Sequence, residues 1–272
     1  MHIGLSTILT ANSIDVADLA PRAEKLGFES IWTPEQPTLP VVTETPIPRE
    51  WGDITDPFVL LSRAAAVTST LKLGTAVCVV TERHPVSLAK TVATLDMYSS
   101  GRFLFGIGTG SVREQAEIFG SDFDHRWTQA RESVLAMKEL WTKEQSEFHG
   151  KYYDFPPVYC YPKPTHKPHP PILLGSHVRQ VFKRIVDYAD GWIPIEVSPE
   201  RVAKARTRLY DLAEEAGRDP GSIDITVAGV PAERDAIERY ERAGANRVLV
   251  GLSTAGHKDS LSELDRIASA VL

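Results

Sequence analysis

Between residues 72 and 110 the chain alternates with almost no slack. An apolar run, Lys72-Leu-Gly-Thr-Ala-Val-Cys-Val-Val80, is followed by an amphipathic stretch from Pro85 to Tyr98 and by a second apolar run, Phe103-Leu-Phe-Gly-Ile-Gly-Thr-Gly110. A helical stretch between two short apolar runs predicts a parallel pair, because parallel neighbours need a crossover that returns the chain to the same end of the sheet. The second run ends in Gly106, Gly108 and Gly110 around Thr109. A strand that stops in glycines lets another backbone or a ligand approach closely, since no side chain stands in the way. The segment therefore predicts a fold and, on it, a place for something flat or anionic.

The same alternation continues along the chain. Strands are predicted at 2–6, 29–33, 72–79, 103–108, 172–175, 192–195, 224–228 and 247–251, with helices near 15–26, 56–69, 85–99, 126–143, 178–189, 199–216, 232–243 and 260–271. Ser13, Asp56-Pro57, Ser198-Pro199 and Ser260 read as helix starts, while Gly27, Gly101, Gly191 and Gly217 follow helix stops. Repeated strand–helix units imply a parallel sheet, and the count favours a closed (β/α)8 TIM barrel over an open doubly wound sheet. The open sheet would also need a dinucleotide fingerprint with glycines at its first, third and sixth positions. Started at Gly106 that fingerprint meets Ser111, and started at Gly108 it meets Arg113, so it fails. A length of 272 residues suits one barrel domain over 1–272.

Two connections exceed ordinary turns, an insertion after strand 2 and another before strand 5. Residues 34–55 carry Pro34, Pro37, Pro40, Pro46 and Pro48 and leave the second strand at the C-terminal face, where barrel sites are built. Residues 144–171 hold His149-Gly-Lys-Tyr-Tyr-Asp154 and a proline-dense run to Pro171. They follow a helix, so they start at the opposite face and are expected to pack across the barrel. Tyr152, Tyr153, Phe155, Tyr159 and Tyr161 either line a pocket or pack on one another.

Composition excludes several classes of function. Hydrophobic content of 42% and charged content of 24% are ordinary for a globular protein. A formal net charge of −6 opposes binding to a phosphate backbone, so nucleic acid is not an expected partner. Neither a membrane span nor a basic, apolar leader is read, and two scattered cysteines, Cys78 and Cys160, do not make a disulfide framework. A cytoplasmic protein is expected. No metal is expected either, because His166 and His169 stand among prolines without a carboxylate or thiol nearby.

Candidate chemistry clusters at strand ends. Glu35 and Gln36 end the second strand; Glu82, Arg83 and His84 follow the third; Arg113, Glu114, Asp124, His125 and Arg126 follow the fourth. Any solvated rim carries such charges. Gly108-Thr109-Gly110-Ser111 is the more specific feature, offering backbone N–H groups and two hydroxyls to a phosphate or to ring carbonyls. The serines in Gly4-Leu5-Ser6 and Gly175-Ser176-His177 fit no nucleophile elbow, and an anion contact suits them better. Barrels in general place phosphate after strands seven and eight, here Gly229-Val-Pro231 and Gly251-Leu-Ser-Thr-Ala-Gly256.

In order and spacing, Leu26-Gly-Phe-Glu-Ser-Ile-Trp-Thr-Pro-Glu35, Asp56-Pro-Phe, Leu73-Gly-Thr-Ala-Val77, His84-Pro85 with Ala93-Thr-Leu-Asp96, Gly101 through Gly110, Phe148-His-Gly-Lys-Tyr-Tyr, Pro170-Pro-Ile-Leu-Leu-Gly175 and Ala189-Asp-Gly-Trp192 resemble the luciferase-like monooxygenase superfamily. The branch they resemble most is that of the coenzyme F420-dependent oxidoreductases. The resemblance implies a barrel, often a homodimer, that holds a deazaflavin or, alternatively, FMN at the C-terminal face and moves hydride to or from a small-molecule substrate. It implies a cis peptide at Ala76-Val77 and cofactor contacts at Glu35, Thr75, Ala76, Val77, Gly108, Thr109, Gly110 and Ser111, with phosphate at Gly175 and Ser176. Members that dehydrogenate sugar phosphates carry a histidine and a glutamate where this chain has Gln36 and Ser111. Neither residue transfers a proton near neutral pH, so that chemistry is not expected, and Glu35 and Gln36 are the only catalytic candidates. Two alternatives stand beside the deazaflavin enzyme: a two-component FMN monooxygenase served by a separate reductase, and a cofactor-binding protein without turnover.

Overall fold

In the computed structural model, which describes residues 1–44, 46–253 and 257–272, eleven strands run in chain order. They are β1 (His2–Thr7), β2 (Ser30–Thr33), β3 (Lys72–Thr75), β4 (Cys78–Val79), β5 (Phe103–Gly108), β6 (Ser146–His149), β7 (Asp154–Val158), β8 (Ile172–Leu174), β9 (Gly191–Trp192), β10 (Asp224–Val230) and β11 (Arg247–Leu252). The α-helices are α1 (Val16–Leu26), α2 (Pro57–Val67), α3 (Pro85–Tyr98), α4 (Arg113–Ile118), α5 (Arg126–Thr142), α6 (Val181–Tyr188), α7 (Pro199–Glu215), α8 (Arg234–Arg242) and α9 (His257–Val271). Parallel pairing runs β3-β2-β1-β11-β10-β9-β8-β5, and β3 then pairs with β5 through Leu73–Phe103 and Gly74–Leu104. The sheet closes, and the expected (β/α)8 barrel is formed.

The third barrel strand is broken. Ala76 and Val77 interrupt it with a cis peptide bond, and β4 resumes the ladder by pairing Cys78 with Ile107 and Val79 with Gly108. Helix starts also differ from expectation at two positions. Asp15 rather than Ser13 caps α1, its carboxylate accepting from the Ala17 N–H, while the Ser13 hydroxyl accepts from Thr10. Ser260 lies inside α9, which begins at His257. Gly191 opens β9.

The interior of the barrel is filled from bottom to top. At the N-terminal end Arg247, 3% exposed, pairs with Glu29 at 2.8 Å and with Asp224 at 3.4 Å. Burial works against the Glu29 charge, yet the Arg247 guanidinium outweighs it and holds the carboxyl at about 2. Above this lies a layer of Trp32, Leu104, Leu173, Ile193, Ala228 and Leu249. Trp32 fits because Gly74 faces it: a Cβ on Gly74 would sit 2.1 Å from the indole ring. Ala76 and Val77 cover the layer from the C-terminal side.

The insertion at 144–171 meets the barrel end only with its tail, where His166, Lys167, Pro168 and His169 line a cavity with Lys72, Arg102, Asp224 and Arg247. β6 and β7 form an antiparallel hairpin that runs along the outside of α5. The Ser146 hydroxyl bonds to Glu139 O near the bottom of that helix, and the hairpin turn docks at its top, where the backbone N–H groups of Lys151 and Tyr152 bond to the Glu132 carboxylate. Phe148 stacks on Phe155, and the buried Tyr153 hydroxyl meets Gln129 at 3.1 Å, whereas Tyr159 and Tyr161 are exposed. The insertion thus returns to the face from which the strands emerge.

Candidate functional site

The glycines of β5 are explained first by the protein itself. A Cβ on Gly106 would lie 1.9 Å from Thr75 O, one on Gly108 would lie 2.7 Å from Val77 Cγ2, and one on Gly175 would lie 2.8 Å from Val77 Cγ1. The break in the third strand is pressed into the space these glycines leave, with Val77 wedged between Gly108 and Gly175. Thr75 turns its hydroxyl inward to Gly106 O at 2.7 Å. Ala76, Val77, Gly110, Gly175 and Ser176 remain partly accessible, and Ser111 is exposed, so the break forms the floor of a shelf with these residues at its edges.

Glu35 is committed to holding that floor. Its side chain is 1% exposed, one carboxylate oxygen accepts the Val79 N–H at 2.6 Å, and the other accepts Arg83 Nε at 2.6 Å. Arg83 in turn reaches Asp56 at 2.6 Å, the residue that caps α2 through Phe58 and Val59. Glu35 therefore ties the second strand, the resumed third strand and α2 together. Both its oxygens are occupied, which suits a positioning part better than the proton transfer expected of a catalytic candidate. Burial, with Glu35 beside it, pushes the Cys78 thiol well up, so this cysteine stays protonated.

Gln36 sits at the mouth, half-buried, and belongs to a chain of side chains. Its Nε2 donates to Thr38 O at 2.7 Å and to Gln115 Oε1, and Gln115 Nε2 donates to Glu82 Oε2 at 2.7 Å. Glu82 is 7% exposed and Gln115 3%. The other Glu82 oxygen, Oε1, is buried without a hydrogen-bond partner among the described residues and would lie 3.2 Å from a Cβ on Gly110. Burial, reinforced by the nearby Glu35, raises the Glu82 carboxyl to about 7, although Gln115 and Arg83 oppose the rise. Sequence reading had grouped Glu82 with the rim charges, and nothing in a lone Thr-Glu-Arg-His run distinguishes a buried carboxyl from a solvated one.

A raised carboxyl makes a stability prediction with a definite sign. The unfolded chain ionises this group near 4.5 and the folded protein near 7, so wild-type stability is full below about 4.5 and declines as pH rises through 7. Glu82→Gln removes that decline. Urea denaturation of both proteins should show the variant gaining up to ~3 kcal/mol on wild type between about pH 5 and pH 8. An unchanged difference across that range would place the ordinary carboxyl, not a raised one, at this position.

Past Gly175 and Ser176, a cavity of about 250 Å³ lies between α6 and α7, lined in part by His177, Arg179, Phe182, Trp192, Arg201 and Lys204. The Ser176 hydroxyl accepts from Val178 N at 3.2 Å, and Ser176 O accepts the Trp192 indole N–H at 3.0 Å. The cavity is apolar at its back and cationic at its rim. The loop 34–55 forms a larger cleft of about 1020 Å³, edged by Leu39, Val41, Val42 and Ile47. It is anchored to α4 where Glu44 N donates to Glu114 at 2.6 Å. Of the alternative phosphate segments, Gly229 carries φ +74 beside Glu196, and 254–256 within Gly251–Gly256 lie outside the described residues. Among the described residues no cluster of three or more His, Cys, Asp or Glu side chains could hold a metal, and no helix is long and apolar enough to cross a membrane. His166 instead bonds to the buried Asp96 at 3.0 Å.

A closed parallel barrel with a broken third strand, bordered by partly accessible glycines at its C-terminal face, is a TIM-barrel scaffold with an opening on the side where barrel enzymes build their sites. The profile of the luciferase-like monooxygenase family matches residues 6–267, and the chain belongs to that family. An uncharacterized protein of Mycobacterium tuberculosis (strain ATCC 25618 / H37Rv) is 34% identical over 284 residues, covering 99% of this chain and 98% of that protein. An F420-dependent glucose-6-phosphate dehydrogenase of Kineococcus radiotolerans is 31% identical over 223 residues, covering 78% of this chain and 62% of that protein. Among solved structures, monooxygenase RslO1 from Streptomyces bottropensis has a TM-score of 0.80 at 21% identity, covering 99% of this chain and 98% of its own. An F420-dependent secondary alcohol dehydrogenase in complex with an F420-acetone adduct has a TM-score of 0.80 at 19% identity, with the same coverage, and both likenesses speak to the fold.

Proposed function

We propose that this protein is an oxidoreductase that uses coenzyme F420 to move hydride to or from a small organic substrate at the C-terminal face of the barrel. The observation that carries the reading is the cationic cavity beside Ser176, whose Trp192 wall bonds to Ser176 O, while the preceding Gly175 lies against Val77 of the break. The residues present fit such a cofactor. Ala76, Val77, Gly110 and Gly175 offer a flat, side-chain-poor platform for a ring, with Gly108 buried beneath Val77, Thr109 and Ser111 flank it, and Gly175 with Ser176 would meet a phosphate. FMN ends at one phosphate, whereas the deazaflavin continues into a tail of carboxylates. Arg179, Arg201 and Lys204 give that tail opposite charge. When bound, the deazaflavin supplies two-electron hydride chemistry at its carbon five. This chain's own residues orient the ring from behind, exclude water beneath it and hold the substrate under the 34–55 loop.

The named relatives support the reading at the level of their names, one dehydrogenase and one solved complex both being F420-dependent. A homodimer, the arrangement the family resemblance implies, is proposed through α2 and α3, where Val59, Val67, Met97 and Tyr98 are exposed. Cytoplasmic residence is proposed with it.

Titration of the purified protein with F420 and with FMN, followed by tryptophan fluorescence, tests the cofactor. F420 should bind the tighter, and the double variant Arg201→Ala, Lys204→Ala should weaken it roughly tenfold while leaving FMN unchanged. Tighter binding of FMN would transfer the assignment to a two-component monooxygenase, the reading the solved monooxygenase fold favours. Tight F420 binding without turnover on a panel of ketones, enones and imines would instead leave a binding protein.

A further inference from the structure

The family resemblance places an acid/base histidine where this chain has Gln36, and an amide cannot titrate. The structure supplies a titrating group one step removed. Gln36 is joined through Gln115 to Glu82, the carboxyl whose second oxygen is buried, unpartnered and close to Gly110. The groups around Glu82 are few. Glu35 and Cys78 lie on the side of the third strand, with Arg83 held between Glu35 and Asp56. From α4 comes the neutral Gln115, and from α5 the neutral Gln129, which bonds to the Tyr153 hydroxyl and to Thr81 O. His84 touches the Tyr153 ring edge at 5.8 Å between centroids. None of these forms an ion pair with Glu82 among the described residues.

We propose that Glu82 is a titrating positioning residue whose proton sets, through Gln115, which end of the Gln36 amide faces the reacting molecule. With Glu82 ionised, Gln115 must give it an N–H. That leaves Gln115 Oε1 to accept from Gln36, whose own Oε1 is then free toward the mouth. With Glu82 protonated, the proton takes Oε2, because an O–H at Oε1 would find no acceptor among the described residues; this O–H donates to Gln115 Oε1, so the amide turns and offers its N–H to Gln36 Oε1. Gln36 turns in response, gives up its bond to Thr38 O and presents N–H to the mouth. No bond to hydrogen is made or broken at either glutamine; only the orientation of two amides changes.

The consequence concerns substrate class and rests on the hydride-transfer reading above. An N–H at the mouth suits a carbonyl or imine, whose heteroatom gains charge as hydride reaches its carbon. A carbonyl oxygen at the mouth suits an alcohol or amine about to lose hydride. Protonated Glu82 therefore configures the site for reduction of a C=O or C=N bond, and ionised Glu82 for the reverse.

The test is nuclear magnetic resonance of the Gln36 and Gln115 side-chain amides in cofactor-free, isotope-labelled protein, across about pH 5 to 9, which brackets the carboxyl. Both should shift with one midpoint near 7, in step with the infrared carbonyl band of a buried protonated carboxyl. Glu82→Gln, which is isosteric, should abolish the band and both shifts. Gln115→Leu should keep the band and silence Gln36. A Gln36 amide that is insensitive to pH in wild type, or that titrates unchanged in Glu82→Gln, overturns the proposal. In the loaded enzyme, kcat for reduction of a carbonyl acceptor should fall roughly tenfold as pH rises through the same midpoint and become flat in Glu82→Gln. Because the amide measurement needs no cofactor, it can succeed where F420 binding fails, or fail where F420 binds, and the two readings are separable.

Discussion

Gly106→Ala should abolish soluble, folded protein. The Cβ it adds would stand 1.9 Å from the backbone oxygen of Thr75, a contact no rotamer change relieves. Thr75 O belongs to the last residue of β3 before the break, and Gly106 lies in β5, the two strands whose pairing closes the barrel. Relief requires that the seam part, which also removes the Thr75 hydroxyl bond to Gly106 O. The cost exceeds about 4 kcal/mol, in the range reserved for substitutions that force backbone apart. Gly251→Ala is the control, since a Cβ there meets nothing within 4 Å among the described residues. Soluble yield, far-ultraviolet circular dichroism and urea denaturation check both proteins. A Gly106→Ala variant as stable as Gly251→Ala would mean that β3 and β5 do not meet as described.

Arg83→Ala should destabilise by about 3 to 5 kcal/mol, because it leaves the Glu35 carboxylate, 1% exposed, without its counter-charge. In a protein of this size that is a fall in Tm of roughly 10 °C. Two further losses act in the same direction: the bond to Asp56 and the guanidinium stacked 5.1 Å over the Phe58 ring. Cofactor binding should weaken with it, as Glu35 also holds the Val79 N–H that resumes the third strand beneath the proposed ring. The double variant Glu35→Gln, Arg83→Met should recover most of the stability, since it removes the stranded charge rather than the pair's partner. Thermal melts of the three proteins decide it. A single variant within about 1 kcal/mol of wild type would show that Glu35 is solvated and free to act as a base.

Most of the fold could be read from residue patterns, and the errors have physical causes. Strand and helix periods depend on neighbours two to four positions away, so every one of the predicted strands appears, most within a residue or two. The third strand was read as continuous over 72–79 because Ala76 and Val77 are apolar and fit the run; the cis peptide there came from resemblance, not from pattern. α4 went unseen, since six residues carry too little periodicity. The expectation that 144–171 packs across the barrel holds for its tail alone, since sequence does not report the docking of its hairpin, which depends on Glu132 and Gln129 of α5.

The site divides along the same line. Gly106, Gly108 and Gly110 are visible in the chain as a demand for close approach, so the sequence by itself determined that something must lie against them. Only the tertiary structure decided what: Thr75 against Gly106, Val77 against Gly108, and Val79 with Glu82 against Gly110. Likewise Glu35, Gln36 and Glu82 each stand just past a strand, and by position Glu82 passes for a solvated rim charge. Folding makes them unequal, pairing Glu35 with Arg83 and leaving Glu82 buried with one oxygen free. Patterning along a chain records which side chains turn inward, whereas the charge a side chain carries depends on partners tens of residues away, and those are set only when the barrel closes.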